Sequence, residues 1–358
     1  MGTVDQLARD IDRDRSRASR FDSPRKPSLR LTWAADYGDI GPPRCIVQNL
    51  LEAGSLALIF GESNSGKSTF ALDIALAVAR GTPWRGRPTL QGLVAYLALE
   101  SANGLRRRVK AYQQFHGLHE LPFFDIAEPV ALLDSVDVER VLAAIAEARI
   151  KATSIPALIV VDTMARAMAG GDENDGGDMG ALIAACDRLR TETGATVLMI
   201  HHAGKDSTRG ARGHSSLRAA VDTEIEVSGQ SNPRQARITK QRDLPSGDVL
   251  AFDVEPIEIG HDPDTGDAIT ACIVQHREDV APQRKQPGGR NQQALLGGIR
   301  EHVRLSGSPL VSSMDLREIA KAQGLKDRRR LPEVLSGLER DGWLTLAVDG
   351  YTFMGDAL

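Results

Sequence analysis

The sequence predicts an α/β protein: a mostly parallel sheet flanked by helices, then a smaller helical unit that ends in a hairpin. Three observations predict it. From Gly54 onward, short unbroken apolar runs alternate with longer helical stretches. A Gly-rich turn, Gly61-Glu62-Ser63-Asn64-Ser65-Gly66-Lys67-Ser68, lies between the first apolar run and the first helical stretch. Beyond residue 290 the apolar runs give way to three helical stretches and a short hairpin pattern.

Taken in order, residues 1–30 mix Arg, Asp and Ser with few large apolar side chains and read as a mobile, solvated arm whose Arg excess could touch nucleic acid. The core then spans 31–280. Ser55–Phe60, Leu93–Leu99, Phe123–Ile126, Ala157–Val161 and Thr196–Ile200 read as buried strands, because unbroken apolar character is what a sheet covered on both faces requires. Between them, Ser68–Arg80, Gly104–Phe115, Asp137–Ile150 and Asp178–Thr193 read as helices. Gly81 is placed to end the first helix and Asp178 to cap the last. Thr223–Val227, Ala236–Lys240 and Val249–Val254 are separated by turn residues and read as antiparallel strands on the sheet edge.

Residues 281–290 are Pro, Gly and charge without period, a linker. In 291–358, helices are expected over Gln292–Arg304, Met314–Ala322 and Arg328–Arg340, the last with Leu331, Val334, Leu335 and Leu338 on one face. Trp343–Val348 and Tyr351–Phe353 flank an Asp-Gly turn. This is a winged-helix-like outline. Arg328, Arg329 and Arg330 open its third helix, where a recognition helix meets DNA; a protein-interaction module with a solvated charged end fits equally.

Composition narrows the function. A chain of 358 residues is long enough for two or three domains, and 41% hydrophobic content allows a sizeable core. A formal charge of −4 excludes a basic carpet for nucleic acid, though not local basic loops. Aromatic content of 4% disfavours an aromatic stacking platform. Cys45, Cys186 and Cys272 are far apart with no CxxC pair, which argues against a disulfide scaffold or a zinc ribbon and fits a reducing, cytoplasmic setting. No apolar run approaches the roughly 20 residues that span a bilayer, so no membrane partner is expected.

The Gly-rich turn carries the chemistry. Gly61 to Ser68 matches G-x-x-x-x-G-K-[ST] between a strand and a helix, the context that gives the motif meaning. Its glycines let the backbone curl so that N–H groups face phosphates, and the helix N-terminus adds partial positive charge. Gly61 to Thr69 form the expected nucleotide cradle. Lys67 is expected on the β- and γ-phosphates and the Ser68 hydroxyl on Mg²⁺. Asp162 ends the strand Ala157–Val161, where a carboxylate holds Mg²⁺ from the neighbouring strand; alone, such an Asp is also a common turn or cap residue.

Further features bear on the reaction. Glu100 ends the strand Leu93–Leu99, placed to polarise an attacking water or to cap the next helix. His201 and His202 follow Thr196–Ile200, where a polar tip can sense a γ-phosphate; a zinc pair lacks a third ligand nearer than His214. Lys240 and Arg242, two apart on a strand, point the same way. Both can reach one γ-phosphate if a neighbouring subunit supplies it, and are otherwise a solvated edge. Lys205, Arg209 and Arg212 are spaced along a Gly-Ser-Thr loop, a backbone binder for DNA or an ordinary surface loop.

From Gly54 to Ile259 the chain resembles the RecA-like P-loop ATPase core, most closely the RepA-type hexameric replicative helicases of plasmids and phages. The matching elements are GESNSGKST, the glutamate of YLALES, the aspartate of VVDT, GGDENDGGDMG, and HHAGK followed by RGHSSLRAAVD; KQRD with its hairpin looks like the K-x-R element of DnaB-type relatives. The resemblance implies that Lys67, Ser68 and Asp162 hold MgATP and that Glu100 is the catalytic base. It implies a sensor at His201 or His202. Lys240 and Arg242 would act in trans as piston and arginine finger, with Arg212 competing for the finger role. It further implies a central DNA-binding loop at Lys205–His214, single-stranded DNA as substrate, a hexameric ring, and a replication initiator or primase as partner. Residues after Arg290 lie outside the minimal core of that family. The alternative is a non-translocating, DNA-associated ATPase switch: a loader, regulator or defence component.

Overall fold

The computed structural model describes residues 32–36, 41, 43–202, 215–277, 287, 289–325, 330–340, 342–347 and 349–354. The N-terminal arm, the loop carrying Lys205, Arg209 and Arg212, most of the linker, and Arg328 and Arg329 lie outside the described residues. The chain divides into units 1–43 and 44–358. The described part of the first has one 3₁₀ turn, Ala34–Asp36, where the Asp36 N–H donates to the Trp33 carbonyl at 2.9 Å.

In the second unit, β1 (Cys45–Val47) and β2 (Leu51–Glu52) form a small hairpin not expected from the sequence. Then follow β3 (Leu56–Gly61), α1 (Lys67–Arg80), β4 (Leu93–Ala98), α2 (Ala102–His116), β5 (Phe123–Ile126), α3 (Ser135–Ala152), β6 (Pro156–Asp162), α4 (Met164–Ala167), α5 (Gly176–Thr193), β7 (Thr196–His202), α6 (Ser215–Ala220), β8 (Thr223–Ser228), β9 (Arg234–Gln241), β10 (Val249–His261) and β11 (Ala268–Arg277). They build one nine-stranded sheet in the order β11-β10-β9-β8-β3-β7-β6-β4-β5. The pairs from β8 to β5 are parallel and those from β8 to β11 antiparallel. This is the mostly parallel sheet with antiparallel edge strands expected of a RecA-like core. Every residue of β3, β4 and β6 is buried, which explains their unbroken apolar sequences.

Three expectations are corrected. β8 runs parallel to β3, because the short helix α6 returns the chain to the end of the sheet from which the other parallel strands start. The antiparallel edge is longer than expected: β10 continues to His261 and β11 follows it. The cap of α5 is Asp175, whose Oδ1 accepts from Gly177 N at 2.8 Å and Asp178 N at 2.9 Å, while Asp178 accepts from Asp172 N within the first turn.

α1 is the hub. It is buried from Phe70 to Ala79, which explains its apolar character all round. β10 and β11 reach past it and pack on α2, so that the sheet curls about the helix. Phe70 meets Trp84 edge-on at 5.6 Å and Phe252 at 4.9 Å. The carboxylate of this apolar helix, Asp73, is buried and therefore needs partners. It accepts from Trp84 Nε1 at 2.7 Å and lies 3.1 Å from His276 Nε2 at the end of β11. Gly81 ends α1 in the left-handed conformation, as expected.

Beyond the linker lie α7 (Arg290–Ser306), β12 (Leu310–Ser312), α8 (Ser313–Ala322), α9 (Leu331–Arg340), β13 (Leu344–Ala347) and β14 (Gly350–Phe353), with sheet order β12-β14-β13. They share a core of their own, built on Leu295, Ile299, Leu316, Val334, Leu335, Leu338 and Trp343. A capping box of Ser312 and Asp315 starts α8. Arg330 is exposed just before α9. Among the described residues no helix is long and apolar enough to cross a membrane, and there is no disulfide.

Candidate nucleotide site

The turn after β3 folds as its sequence dictates. Gly66, at φ 93°, occupies the left-handed region that favours glycine and serves as the N-cap of α1. Gly61 is required by space: a Cβ there would lie 2.0 Å from the Val227 carbonyl oxygen. α1 then starts at Lys67, with its N-terminal N–H groups facing a cavity of about 710 Å³.

Around that cavity stand the tips of the curled sheet. Ser63, Asn64, Gly66, Lys67, Ser68 and Thr69 form its floor. Glu100 overlooks it from the end of β4, Asp162 from β6 and His202 from β7. Ser68 Oγ donates to Asp162 Oδ1 at 3.2 Å, and Tyr96 OH donates to Asp162 Oδ2 at 2.7 Å. The peptide bond from Asp162 to Thr163 is cis. Lys67 Nζ donates to the Glu62 carbonyl at 2.6 Å across the loop. A hydroxyl and a carboxylate, both hard oxygen donors, side by side at a helix N-terminus fit Mg²⁺ held between protein and phosphates.

Burial sets the electrostatics. It pushes the Lys67 ammonium below its ordinary range, opposed by the carboxylates of Asp162, Glu100 and Glu62. It also raises the Asp162 carboxyl, opposed by hydrogen bonds from Tyr96 and Ser68 and by the Arg108 charge, while Glu100 adds to the rise. Burial and the neighbouring Asp162 hold the Tyr96 phenol well above its usual value.

The two histidines separate. His202 lines the cavity, whereas His201 is buried with Nε2 3.8 Å from Glu173 Oε2 of the acidic Gly-rich loop. They point opposite ways because successive side chains alternate along a strand. Lys240 and Arg242 lie at the other end of the sheet, beside the start of β8. Lys240 Nζ donates to the carbonyls of Arg218 and Val221, each at 2.6 Å. Arg242 donates to the Ala219 carbonyl at 3.1 Å and pairs with Asp222 at 3.0 Å. These groups bind the C-terminal carbonyls of α6, while half of the Arg242 side chain remains exposed.

Several lining residues were not expected from the sequence. Arg107 and Arg108 enter from α2, three and four residues after Gly104 and thus on its cavity side. Arg234 reaches from β9, lines the cavity and donates to the Asn64 carbonyl of the phosphate turn. Val254 of β10 and Thr270, Ala271 and Cys272 of β11 also line the cavity, and Val254 Cγ2 would lie 3.4 Å from a Cβ on Gly66. For Tyr96 a signal existed: a phenol in an otherwise aliphatic buried strand needs a partner for its hydroxyl.

Comparison with known proteins gives a family. The AAA_25 family, described as an AAA domain, matches residues 22–208, just over half of the chain. Among solved structures, the chain is similar to a KaiC-like protein from the hyperthermophilic archaeon Pyrococcus horikoshii OT3, with 17% identity and a TM-score of 0.42 over 60% of this chain and 96% of that one. It is also similar to the RadB recombinase, with 18% identity and a TM-score of 0.40 over 57% and 88%. No curated protein matches. A phosphate turn in working context, with a buried strand-end aspartate beside it, agrees with the family match, and the protein belongs to the AAA domain family of P-loop ATPases.

Proposed function

We propose that the protein hydrolyses MgATP to drive a RepA- and DnaB-like ring motor on single-stranded DNA, a helicase of plasmid, phage or mobile-element replication. One observation carries the ATPase part. Lys67, Arg107, Arg108 and Arg234 outnumber Glu100 and Asp162 around the N-terminus of a buried helix, a cavity whose charge suits a metal-bound triphosphate.

On binding, Lys67 exchanges the Glu62 carbonyl for β- and γ-phosphate oxygens. Ser68 and Asp162 would hold Mg²⁺, which would supply charge neutralisation for those oxygens. Glu100 accepts a proton from a water whose oxygen attacks the γ-phosphorus in line; the bond to the bridging oxygen breaks and ADP leaves. His202 lines the cavity and leads in sequence into residues 203–214, so it would sense the γ-phosphate and pass the hydrolysis state to the DNA loop of Lys205, Arg209 and Arg212. Lys240 and Arg242 serve the site of the next subunit. Residues 291–358 act as a winged-helix-like module that presents Arg328, Arg329 and Arg330 to DNA.

The occupation of Lys240 and Arg242 by carbonyls and Asp222 of their own chain favours a second reading, in which the ATPase is a DNA-associated switch that does not translocate. One measurement separates the two: ATPase rate with and without single-stranded DNA, on protein sized by light scattering in MgATP. A hexameric ring with DNA-stimulated turnover is expected. A monomer or dimer indifferent to DNA would overturn the motor and the trans roles of Lys240 and Arg242.

A further inference from the structure

The phosphate turn faces two ways. Its N–H groups serve a ligand, so its carbonyls turn outward and need donors of their own. The Glu62 carbonyl accepts from Lys67 Nζ at 2.6 Å, a contact for which a bound phosphate competes. The Gly66 carbonyl accepts from Phe70 N at 2.9 Å, inside α1. The Asn64 carbonyl is held from outside the motif, by Nη1 of Arg234, 170 residues further along the chain.

Asn64 needs that hold. Its φ is 63°, in the left-handed region that is unfavourable for an L-residue and that asparagine tolerates better than most. Gly66, two residues on, is also left-handed, but glycine adopts that conformation without steric cost.

The arginine is itself anchored. Arg234 opens β9 and is paired there with Phe252 of β10. Beyond that pair the side chain of Asn232 extends the ladder: its Oδ1 accepts from Val254 N at 2.9 Å, and its Nδ2 donates to the Val254 carbonyl at 3.1 Å. The Arg234 stem crosses the N-cap of α1, where a Cβ on Gly66 would lie 3.3 Å from Arg234 Cδ and 3.1 Å from Nη1. Nη2 donates to the Gln230 carbonyl at 3.4 Å. One guanidinium thus joins the turn between β8 and β9 to the phosphate turn.

We propose that Arg234 is a positioning residue supplied by the same chain, which holds Asn64 left-handed and so keeps the phosphate turn in its binding shape before a nucleotide arrives. The proposal rests on the reading of this cavity as a triphosphate site. Arg234 acts through the turn and not on the reacting phosphate. Without it Asn64 relaxes, and the ligand must rebuild the turn. The loss falls on every ligand that the turn grips, with or without a base, and on binding more than on turnover.

Calorimetric titration of the full chain in excess Mg²⁺ with ATP and with inorganic tripolyphosphate tests this, alongside steady-state turnover. Arg234→Ala should weaken both ligands by about tenfold, as expected for one hydrogen bond from a charged donor, and should raise KM for ATP more than it lowers kcat. A double-mutant cycle with Asn64→Gly identifies the route. Glycine takes the left-handed conformation unaided, so Arg234→Ala added to Asn64→Gly should weaken binding by no more than about threefold. Equal losses with and without Asn64→Gly would mean that Arg234 grips the ligand itself, and would overturn the positioning role. Unchanged affinity in a folded Arg234→Ala protein, or a fall in kcat at unchanged KM, would overturn it too. If Arg234→Ala does not fold, Arg234→Gln in the same cycle decides. A wild type that binds neither ligand would overturn the triphosphate reading itself.

Discussion

Tyr96 is the sharpest place to probe the carboxylate proposed to hold Mg²⁺, because it touches Asp162 and nothing proposed to react. Its ring is wholly buried in β4 and its hydroxyl donates to Asp162 Oδ2 at 2.7 Å. Tyr96→Phe keeps the ring, including its contact with Phe123 at 6.0 Å, and removes only the donor. A hydrogen bond to a charged group is worth about 1.5–3 kcal/mol, equivalent to roughly a 10- to 150-fold change in an equilibrium. Outer partners of metal ligands independently cost about 10- to 100-fold when removed. The Mg²⁺ dependence of ATP turnover should therefore weaken by one to two orders of magnitude. The pH dependence has a definite sign. Burial already raises the Asp162 carboxyl above the ordinary 3.8, and the Tyr96 hydrogen bond restrains that rise. Without it, protons compete with Mg²⁺ at higher pH, and the acid limb of the activity profile moves toward neutrality. The same raised carboxyl favours the folded, nucleotide-free chain while protonated, a contribution lost as pH rises through its folded value. Acidification should thus strengthen the fold through this group while weakening MgATP binding. Mg²⁺ titrations of turnover from mildly acidic to neutral pH, alongside thermal melts, read both effects. A folded Tyr96→Phe protein with wild-type Mg²⁺ dependence and an unmoved acid limb would refute the reasoning.

Other expectations follow from single contacts. Glu100→Gln should lower turnover by about 10²–10⁴ while ATP still binds in calorimetry; loss of binding would make Glu100 structural. Gly61→Ala should destabilise by more than the roughly 1–3 kcal/mol of ordinary overpacking, because its Cβ would lie 2.0 Å from backbone oxygen; an unchanged melting temperature would count against the geometry. Trp84→Phe leaves Asp73 without its indole donor and should cost about 1–3 kcal/mol in denaturant unfolding; an unchanged midpoint would mean that His276 alone satisfies the carboxylate.

The phosphate end was legible because it sits on strand ends close to short motifs. Lys67, Ser68, Asp162, Glu100 and His202 each follow an apolar run, and parallel strands bring their C-terminal ends together whatever their order. The rest of the cavity lining was not. Arg107, Arg234, Val254 and Cys272 meet only because the sheet curls around α1, and no local pattern encodes that curl. β11 itself was missed because Ala268–Arg277 alternates between exposed and buried only irregularly, as a half-covered edge strand does. The direction of β8 depended on α6, six residues too short to show a helical period. Asp175 and Asp178 compete for one cap within a single acidic stretch, and only the turn at Asp172 decides between them.

The wrapping of β10 and β11 onto α2 bears on the order of events in the cell. A chain whose nucleotide chamber is walled on both sides by its own elements can load as a single molecule, before any neighbour arrives. Occupancy would then be independent of how crowded the protein is. Turnover, if it waits on an arginine from next door, would climb with protein concentration. Under the ring reading, loading and firing are separable steps, and a cell could keep a reservoir of charged, silent subunits that assembly sets working.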